Sequence, residues 1–187
     1  MRREFSKGIK VAAFLADCLN YNSNTGVISW KVRPREHFKT DGVWKIINSR
    51  NAGKDAGSPA ANGYLTIRVS GKLLYAHRVA WMLATGDEIP PGYMVDHWNG
   101  NKADNRLVNL RLATRSQNNC NQAQRSYRDL PKGVHYDKRR GKFLASVRLD
   151  GKQYFCGRYA TVAEAEMSVR NTRARLHGEF ARDGGAS

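Results

Sequence analysis

Apolar residues recur with two different periods in the first half of the chain. Residues 9–19 carry apolar side chains at helical spacing, and residues 27–32 follow with a pattern that predicts a strand. Residues 64–69 alternate between apolar and polar and reach residues 72–75 through a Ser-Gly turn, which predicts a β-hairpin. The stretch between these elements, residues 33–62, is rich in Gly, Asn, Lys and Arg, and we expect loops there.

A strand, a loop, a second strand and a helix are predicted in the middle of the chain. Residues 93–97 form the first strand, and residues 110–113 form the returning strand after a polar loop. Thr114 is a typical N-cap residue, and Gln117 three positions later completes a capping box. A helix is therefore expected to begin directly after the second strand.

The last third of the chain predicts a small sheet covered by one helix. Short strands at residues 132–138, 142–149 and 152–159 are separated by turns, and Thr161 with Glu164 forms a second capping box. An apolar stripe along the following helix covers one face of this sheet and leaves the other face free. Together with the middle of the chain, this pattern predicts the α+β class.

Turn signals and shifts of composition divide the chain into four segments. We expect an N-terminal extension (a helix followed by β-rich and loop structure) at residues 1–62 and a core at residues 63–124. A linker at residues 125–131 then leads to a C-terminal domain at residues 132–187.

The charge of the chain points to a polyanionic partner. The sequence has 32 Lys and Arg against 16 Asp and Glu, a formal net charge of +16, and residues 125–158 alone hold ten basic and three acidic side chains. Nucleic acid is the commonest polyanion inside cells. Ribosomal and architectural proteins are equally basic, so the charge alone does not indicate an enzyme.

The cysteines and the apolar runs exclude other classes. Cys18, Cys120 and Cys156 lie far apart and form no CxxC pair, so we expect no structural zinc and no disulfide framework. No apolar run is long enough for a signal segment or a membrane span. These observations predict a soluble, cytoplasmic protein without a membrane partner.

Asp96 and His97 carry the chemistry that hydrolysis of a phosphodiester needs. The reaction requires a base that activates water and a cation that neutralises charge on the phosphate and the leaving oxygen. His97 suits the first role because the pKa of imidazole lies near neutrality. Asp96 offers a hard oxygen ligand for Mg²⁺, and a carboxamide can offer another. Since adjacent strand residues point to opposite faces, both can serve one phosphate only if the strand ends here, and Asn99-Gly100 makes such an end credible.

Residues 75–121 resemble the H-N-H (ββα-metal, His-Me finger) homing endonucleases of phages and mobile introns. The matching stretches are AHR at 76–78, VDHWNGNKADNR at 95–106, NLR at 109–111 and the dipeptide Gln117-Asn118. The resemblance implies a metal-dependent endonuclease that cleaves double-stranded DNA and leaves 5′ phosphates. The core at residues 63–124 is then the nuclease core.

The resemblance also assigns roles to residues of the core. Asp96 and Asn118 are implied as metal ligands, His97 as the general base, and Asn109 as the brace of the loop between the strands. Asn118 stands where many relatives have histidine, and this neutral oxygen ligand favours Mg²⁺ or Mn²⁺ over Zn²⁺.

His77 and Arg78, in the AHR stretch, are accessory candidates. We expect His77 to be buried between the hairpin and the following helix, where it can help to orient the site.

Residues 132–178 resemble the ethylene-response-factor (APETALA-two) type of DNA-binding domain, which is also found appended to phage H-N-H endonucleases. The matching stretches are KGV at 132–134, FLA at 143–145, GRY at 157–159 and LHG at 176–178. The resemblance implies DNA contacts from four basic residues: Arg139, Lys142, Arg148 and Arg158.

Two other interpretations stay open. A non-catalytic DNA-binding or regulatory protein can retain the nuclease fold, and a basic RNA-binding protein would prefer structured RNA to duplex DNA. One site per chain cuts one strand, so a monomer is expected to nick, and double-strand cleavage would need a weak dimer or a second turnover.

Overall fold

The structure, a computed structural model, describes residues 10–122 and 129–181. The chain divides into two compact units, Met1–Leu112 and Ala113–Ser187. Residues 125–128 of the predicted linker lie outside the described residues. The segment limits expected from the sequence stay predictions.

The N-terminal unit is built from short antiparallel strands and helices. Its elements are α1 (Val11–Cys18), β1 (Leu19–Tyr21), β2 (Ile28–Trp30), α2 (Asp41–Asn51), β3 (Ser58–Pro59), β4 (Leu65–Val69), β5 (Lys72–Tyr75), α3 (Ala76–Thr85) and β6 (Tyr93–His97), and β7 (Leu110–Thr114) begins in it. β1 pairs with β2, while β4 pairs with both β3 and β5, all antiparallel. β6 pairs with β7, so the strand, loop and strand predicted in the middle of the chain are present.

The core of this unit supports the strand β6. Leu15 on α1, Ile67 on β4 and Val79 on α3 are at most 1% exposed, and Val95 of β6 and Leu110 of β7 belong to the same apolar cluster. Full burial of such a side chain contributes about 1.5–3 kcal/mol. The second half of β6 is therefore held in place by packing.

Helix α2 corrects the expectation of loops over residues 33–62. Thr40 caps it, since Oγ1 accepts a hydrogen bond from Val43 N at 3.3 Å. The buried Asn48 accepts from Arg33 N at 2.9 Å and donates to the Arg33 carbonyl at 3.0 Å. The prediction was wrong because side-chain hydrogen bonds to the backbone, and not an apolar stripe, fix this polar helix.

The C-terminal unit contains a three-stranded antiparallel sheet and two helices. After β7 come α4 (Arg115–Asn121), β8 (Val134–Asp137), β9 (Lys142–Leu149), β10 (Lys152–Tyr159) and α5 (Val162–His177). The strand order is β10-β9-β8, and both helices begin with the predicted capping boxes at Thr114 and Thr161. The mixture of helices and antiparallel sheets confirms the α+β class.

One face of the C-terminal sheet is covered and the other is free. Val134, Ala145 and Val147 of the sheet pack against Ala165 and Val169 of α5 in one buried cluster. Because side chains alternate along a strand, the residues between these point away from α5.

None of the helices in the described part of the chain is long and apolar enough to cross a membrane.

Candidate active site

Asp96 and His97 end strand β6 and are both buried, with 6% and 4% of their surface exposed. Both act on Tyr64. The Tyr64 ring lies 5.9 Å from the His97 ring between centroids, and the charge of Asp96 adds to the effect of burial, which raises the pKa of Tyr64. Because β6 ends at His97, the side chains of two adjacent residues can both lie near Tyr64.

A hydrogen bond with Asn105 orients the His97 ring. Nε2 of His97 lies 3.2 Å from Oδ1 of Asn105. Because that oxygen is an acceptor, Nε2 carries the proton and Nδ1 is the basic nitrogen of the neutral ring. Burial lowers the pKa of His97, while Asn105 and Asp96 oppose this shift. A neutral imidazole that presents Nδ1 is the form that a general base requires.

The N-terminal segment fixes the loop that carries Asn105. Tyr21 Oη donates to the Asn105 carbonyl at 2.8 Å, and Leu107 N donates to the Ser23 carbonyl at 3.0 Å. Gly26 has a φ of +76°, and a Cβ there would lie 2.7 Å from Arg106 N. This close approach requires glycine, so the extension before the core is part of what holds His97 in place.

Asn109 connects the two ends of the loop between β6 and β7. Its Oδ1 accepts from Asn99 N at 2.9 Å, and its Nδ2 donates to the Asp104 carbonyl at 2.8 Å. Asp104 also accepts from Arg106, which is the main reason that the pKa of Asp104 falls to about 2. Through these two bonds Asn109 links Asn99 and Asp104, and its role as the brace of the loop stays a prediction.

Arg111 on β7 faces Asp96 on β6. Its Nε lies 3.1 Å from Oδ2 of Asp96, and the two side chains are only 13% and 7% exposed. The sequence analysis quoted the NLR stretch without giving Arg111 a role. The pair places one positive guanidinium beside the candidate metal ligand.

Asp96 supplies one carboxylate, the kind of hard oxygen donor that divalent cations prefer. Among residues 10–122 and 129–181 no group of three or more His, Cys, Asp and Glu side chains forms a metal cluster. A carboxylate has about four lone-pair positions, so it can accept a hydrogen bond and also coordinate a cation. Magnesium is commonly bound through one or two carboxylates with water and phosphate oxygens completing its shell.

Asn118, the other expected ligand, lies in the C-terminal unit. It occupies the fourth position of α4 and is partly buried. Its role as a ligand stays a prediction.

His97 belongs to a cluster of four rings, with His77, Tyr64 and Tyr75. The centroid of His77 is 5.0 Å from that of His97, 5.1 Å from Tyr64 and 5.5 Å from Tyr75. His77 is 7% exposed, and its Nδ1 has no hydrogen-bond partner among the described residues. Burial, with a smaller effect of His97, lowers the pKa of His77 to about 3. Arg78 is exposed on α3, and its charge also contributes to the lowered pKa of His77.

Tyr64 is a member of this site that the sequence analysis did not identify. Its ring contacts both histidines, and Lys102 Nζ lies 4.9 Å from the ring centroid. The alternating pattern of residues 64–69 indicated a strand and carried no signal of a site.

The four basic residues expected to contact DNA are all exposed in the C-terminal unit. Lys142 and Arg148 occupy the positions of β9 that alternate with Ala145 and Val147, which pack on α5. Arg158 pairs opposite Leu144, which also faces away from α5, so the three basic residues belong to the free face of the sheet. Arg139 lies in the turn between β8 and β9. The four basic side chains named from the sequence therefore lie on the free face of the sheet or beside it.

Phe155 and Asp137 complete the free face. Phe155 is 60% exposed, and the guanidinium of Arg158 lies 5.0 Å from its ring centroid. Asp137 lies 3.9 Å from Arg158 and 3.2 Å from Arg140. An exposed aromatic ring among arginines is a surface typical of nucleic-acid binding.

Comparison with known proteins identifies the class of this site. Residues 74–120, from the end of β5 into α4, match the family described as HNH endonuclease. The chain therefore carries an HNH endonuclease domain, which is a nuclease domain. Protein 3.8 of Escherichia phage T7 is 36% identical over 107 residues, which cover 57% of this chain and 87% of that protein. The chain belongs to the family of this phage protein. No solved structure matches the chain with significant similarity.

Proposed function

We propose that the protein is a metal-dependent DNA endonuclease that hydrolyses phosphodiester bonds in double-stranded DNA, in the manner of a homing endonuclease. The observation that carries the proposal is the buried His97, held by Asn105 beside Asp96 inside the HNH domain. A core histidine also needs a hydrogen-bond partner, but it does not need a buried carboxylate beside it, and such a group is costly to bury.

His97 is the general base in this proposal. Nδ1 takes the proton from the attacking water, and the Asn105 amide keeps Nε2 protonated so that the basic nitrogen stays Nδ1. Positive charge then develops on the ring next to Asp96, whose carboxylate favours it. Arg111 attracts the scissile phosphate and holds the Asp96 carboxylate in one orientation.

Asp96 holds the divalent cation, Mg²⁺ or Mn²⁺, with Asn118 as the second ligand implied by the resemblance. When bound, such a cation neutralises charge on the phosphate and on the leaving 3′ oxygen. The products are a 5′ phosphate and a 3′ hydroxyl. A monomer with this one site nicks duplex DNA.

His77 is a positioning residue for His97. Its buried, neutral ring packs edge to face on the base and, with Tyr64, limits where that ring can turn. A shift of about 1 Å in a catalytic group can cost about 100-fold in rate.

The free face of the C-terminal sheet is the recognition surface. Arg148, Arg158 and Lys142 supply phosphate contacts, and Phe155 offers an apolar contact to bases. Tethering of this surface to the nuclease core would direct cleavage to chosen sites.

A ligation assay tests the proposal. Supercoiled plasmid is incubated with the full chain and Mg²⁺, and the open circles are treated with DNA ligase. Sealing by the ligase shows adjacent 5′ phosphate and 3′ hydroxyl ends, as proposed. Open circles that resist sealing contradict the chemistry. Plasmid that is bound but never opened supports the non-catalytic DNA-binding alternative.

A further inference from the structure

A polar cleft lies within the C-terminal unit. Its volume is about 610 Å³, and it is lined by parts of α4, the end of β9, the turn into β10 and the last turns of α5. β8 begins at Val134, opposite Ala145, so among the described residues β9 has no strand partner on this side beyond Ser146. Among the described residues, the cleft lies at the part of the β9 edge that β8 does not cover.

The charge of the lining is mainly positive. Lys132, Arg148 and Arg173 line the cleft, and Asp150 is the one carboxylate among its lining residues. Arg173 is 6% exposed and donates to the Lys132 carbonyl. Lys132 Nζ donates to the carbonyls of Cys120 and Gln122 at 3.2 and 2.6 Å. These bonds hold two cations in fixed positions before any ligand arrives.

The ring of His177 is a buried polar group in the lining of the cleft. It is 9% exposed, and neither ring nitrogen makes a hydrogen bond of acceptable geometry to a described residue. Burial lowers the pKa of His177, and the contact of its ring with the Arg148 backbone opposes this shift. Buried polar atoms without a partner are uncommon in proteins and indicate a ligand or water.

We propose that this cleft binds a phosphate group, held by Arg148, Lys132 and His177, and that the group belongs to the backbone of duplex DNA. Arg148 connects the two surfaces, because it lines the cleft and also belongs to the free face of the sheet. The volume accommodates a phosphate together with its adjoining sugar. This assignment to DNA rests on the proposed recognition role of the free face.

Histidine NMR of the full chain tests the cleft directly, with inorganic phosphate as the probe and chloride at equal ionic strength as the control. The chain has five histidines, and His135 and His177 line the cleft. We expect saturable shifts of the His177 and His135 ring signals with phosphate, assigned by His177→Gln and His135→Gln. Shifts confined to His77 and His97, or no saturable shift, overturn the proposal.

Two arginine variants separate site binding from net charge. Arg148→Gln removes a cleft cation, whereas Arg175→Gln removes one charge from an exposed position of α5 outside the cleft. Arg148→Gln should weaken phosphate binding about tenfold or more, the effect of losing one charge-assisted hydrogen bond. Equal phosphate affinity in the two variants overturns the proposal. Circular dichroism shows that both remain folded.

Competition with duplex DNA identifies the source of the phosphate. In EDTA, where no cleavage takes place, phosphate should displace a duplex from the wild type beyond the effect of matched chloride, and much less from Arg148→Gln. The salt slope of duplex binding should fall by about 0.9 in Arg148→Gln if one backbone contact is lost. Phosphate binding that leaves duplex affinity unchanged overturns the assignment to DNA and indicates a free phosphate or mononucleotide. Because no step depends on cleavage, failure here is distinct from failure of the nuclease proposal.

Discussion

The imidazole of His77 packs edge to face on that of His97, with 5.0 Å between the ring centroids. The ring of His77 is neutral near pH 7 because burial lowers its pKa to about 3. A neutral neighbour does not repel the charge that the base acquires when it takes a proton. The pair therefore combines a rigid support with the electrostatics that a base needs.

This burial predicts a dependence of stability on pH. Below about pH 6.5 the unfolded chain binds a proton at His77, whereas the folded chain does not until about pH 3. The free energy of unfolding therefore falls as the pH is lowered through this window. Between pH 7 and pH 4 the wild type should lose about 3 kcal/mol more than His77→Gln, at about 1.4 kcal/mol per pH unit.

Urea denaturation at the two pH values measures this difference, with the exposed His135→Gln as the control. Equal pH dependence in the wild type and His77→Gln would contradict the burial of a neutral His77.

We predict that the side-chain amide of Asn105 affects the nicking rate only because it orients the His97 ring. Asn105→Ala leaves Nε2 without its acceptor, so the ring can turn and change tautomer. Nicking should fall by about 10- to 100-fold while duplex affinity is kept, since a neutral amide adds little attraction for phosphate. The exposed Asn24→Ala is the matched control. An equal loss of affinity and rate would show that Asn105 binds DNA and does not orient the base.

Gly26 is predicted to couple the N-terminal segment to the site. Gly26→Ala and Gly71→Ala share the cost of a positive φ, about 1–2 kcal/mol, but only at Gly26 does the new Cβ meet backbone. Thermal unfolding should therefore show the larger loss for Gly26→Ala, and its nicking rate should fall because the Asn105 loop moves. Similar behaviour of the two variants would mean that the contact with Arg106 has no effect on the site.

Asp96 is predicted to set the requirement for metal. Asp96→Asn keeps the shape of the side chain but removes the charged ligand, so half-maximal nicking should need much more Mg²⁺ or be lost. Duplex affinity in EDTA should stay equal or rise, because one negative charge is removed. The exposed Asp87→Asn controls for net charge. A normal magnesium requirement in Asp96→Asn would remove Asp96 from the metal site.

The sequence predicts the strands and capped helices well because their signals are local. Thr114 and Thr161 form the capping boxes expected from residues three positions apart, and β6, β9 and β10 begin and end where the pattern placed them. The polar helix α2 was missed because its stability comes from Asn48, whose partner Arg33 is fifteen residues away.

The sequence could single out candidate site residues only where they belong to short recognisable motifs. Asp96, His97 and Asn109 stand within one short segment, and His77 was expected to be buried near the hairpin, as it is. Tyr64 and the contact of Gly26 with the Asn105 loop depend on tertiary packing, which no local pattern reports. The free face of the sheet followed from strand alternation, but the cleft at His177 did not, because it depends on where β8 begins.

The most direct test of the account compares the wild type with His97→Ala in the nicking of supercoiled plasmid in Mg²⁺, with duplex affinity measured in parallel. The account predicts that the nicking rate falls by about 10²- to 10⁴-fold, the usual contribution of a general base, while duplex affinity stays nearly unchanged. Near-normal nicking by His97→Ala would contradict the account and move the search for the base to His77.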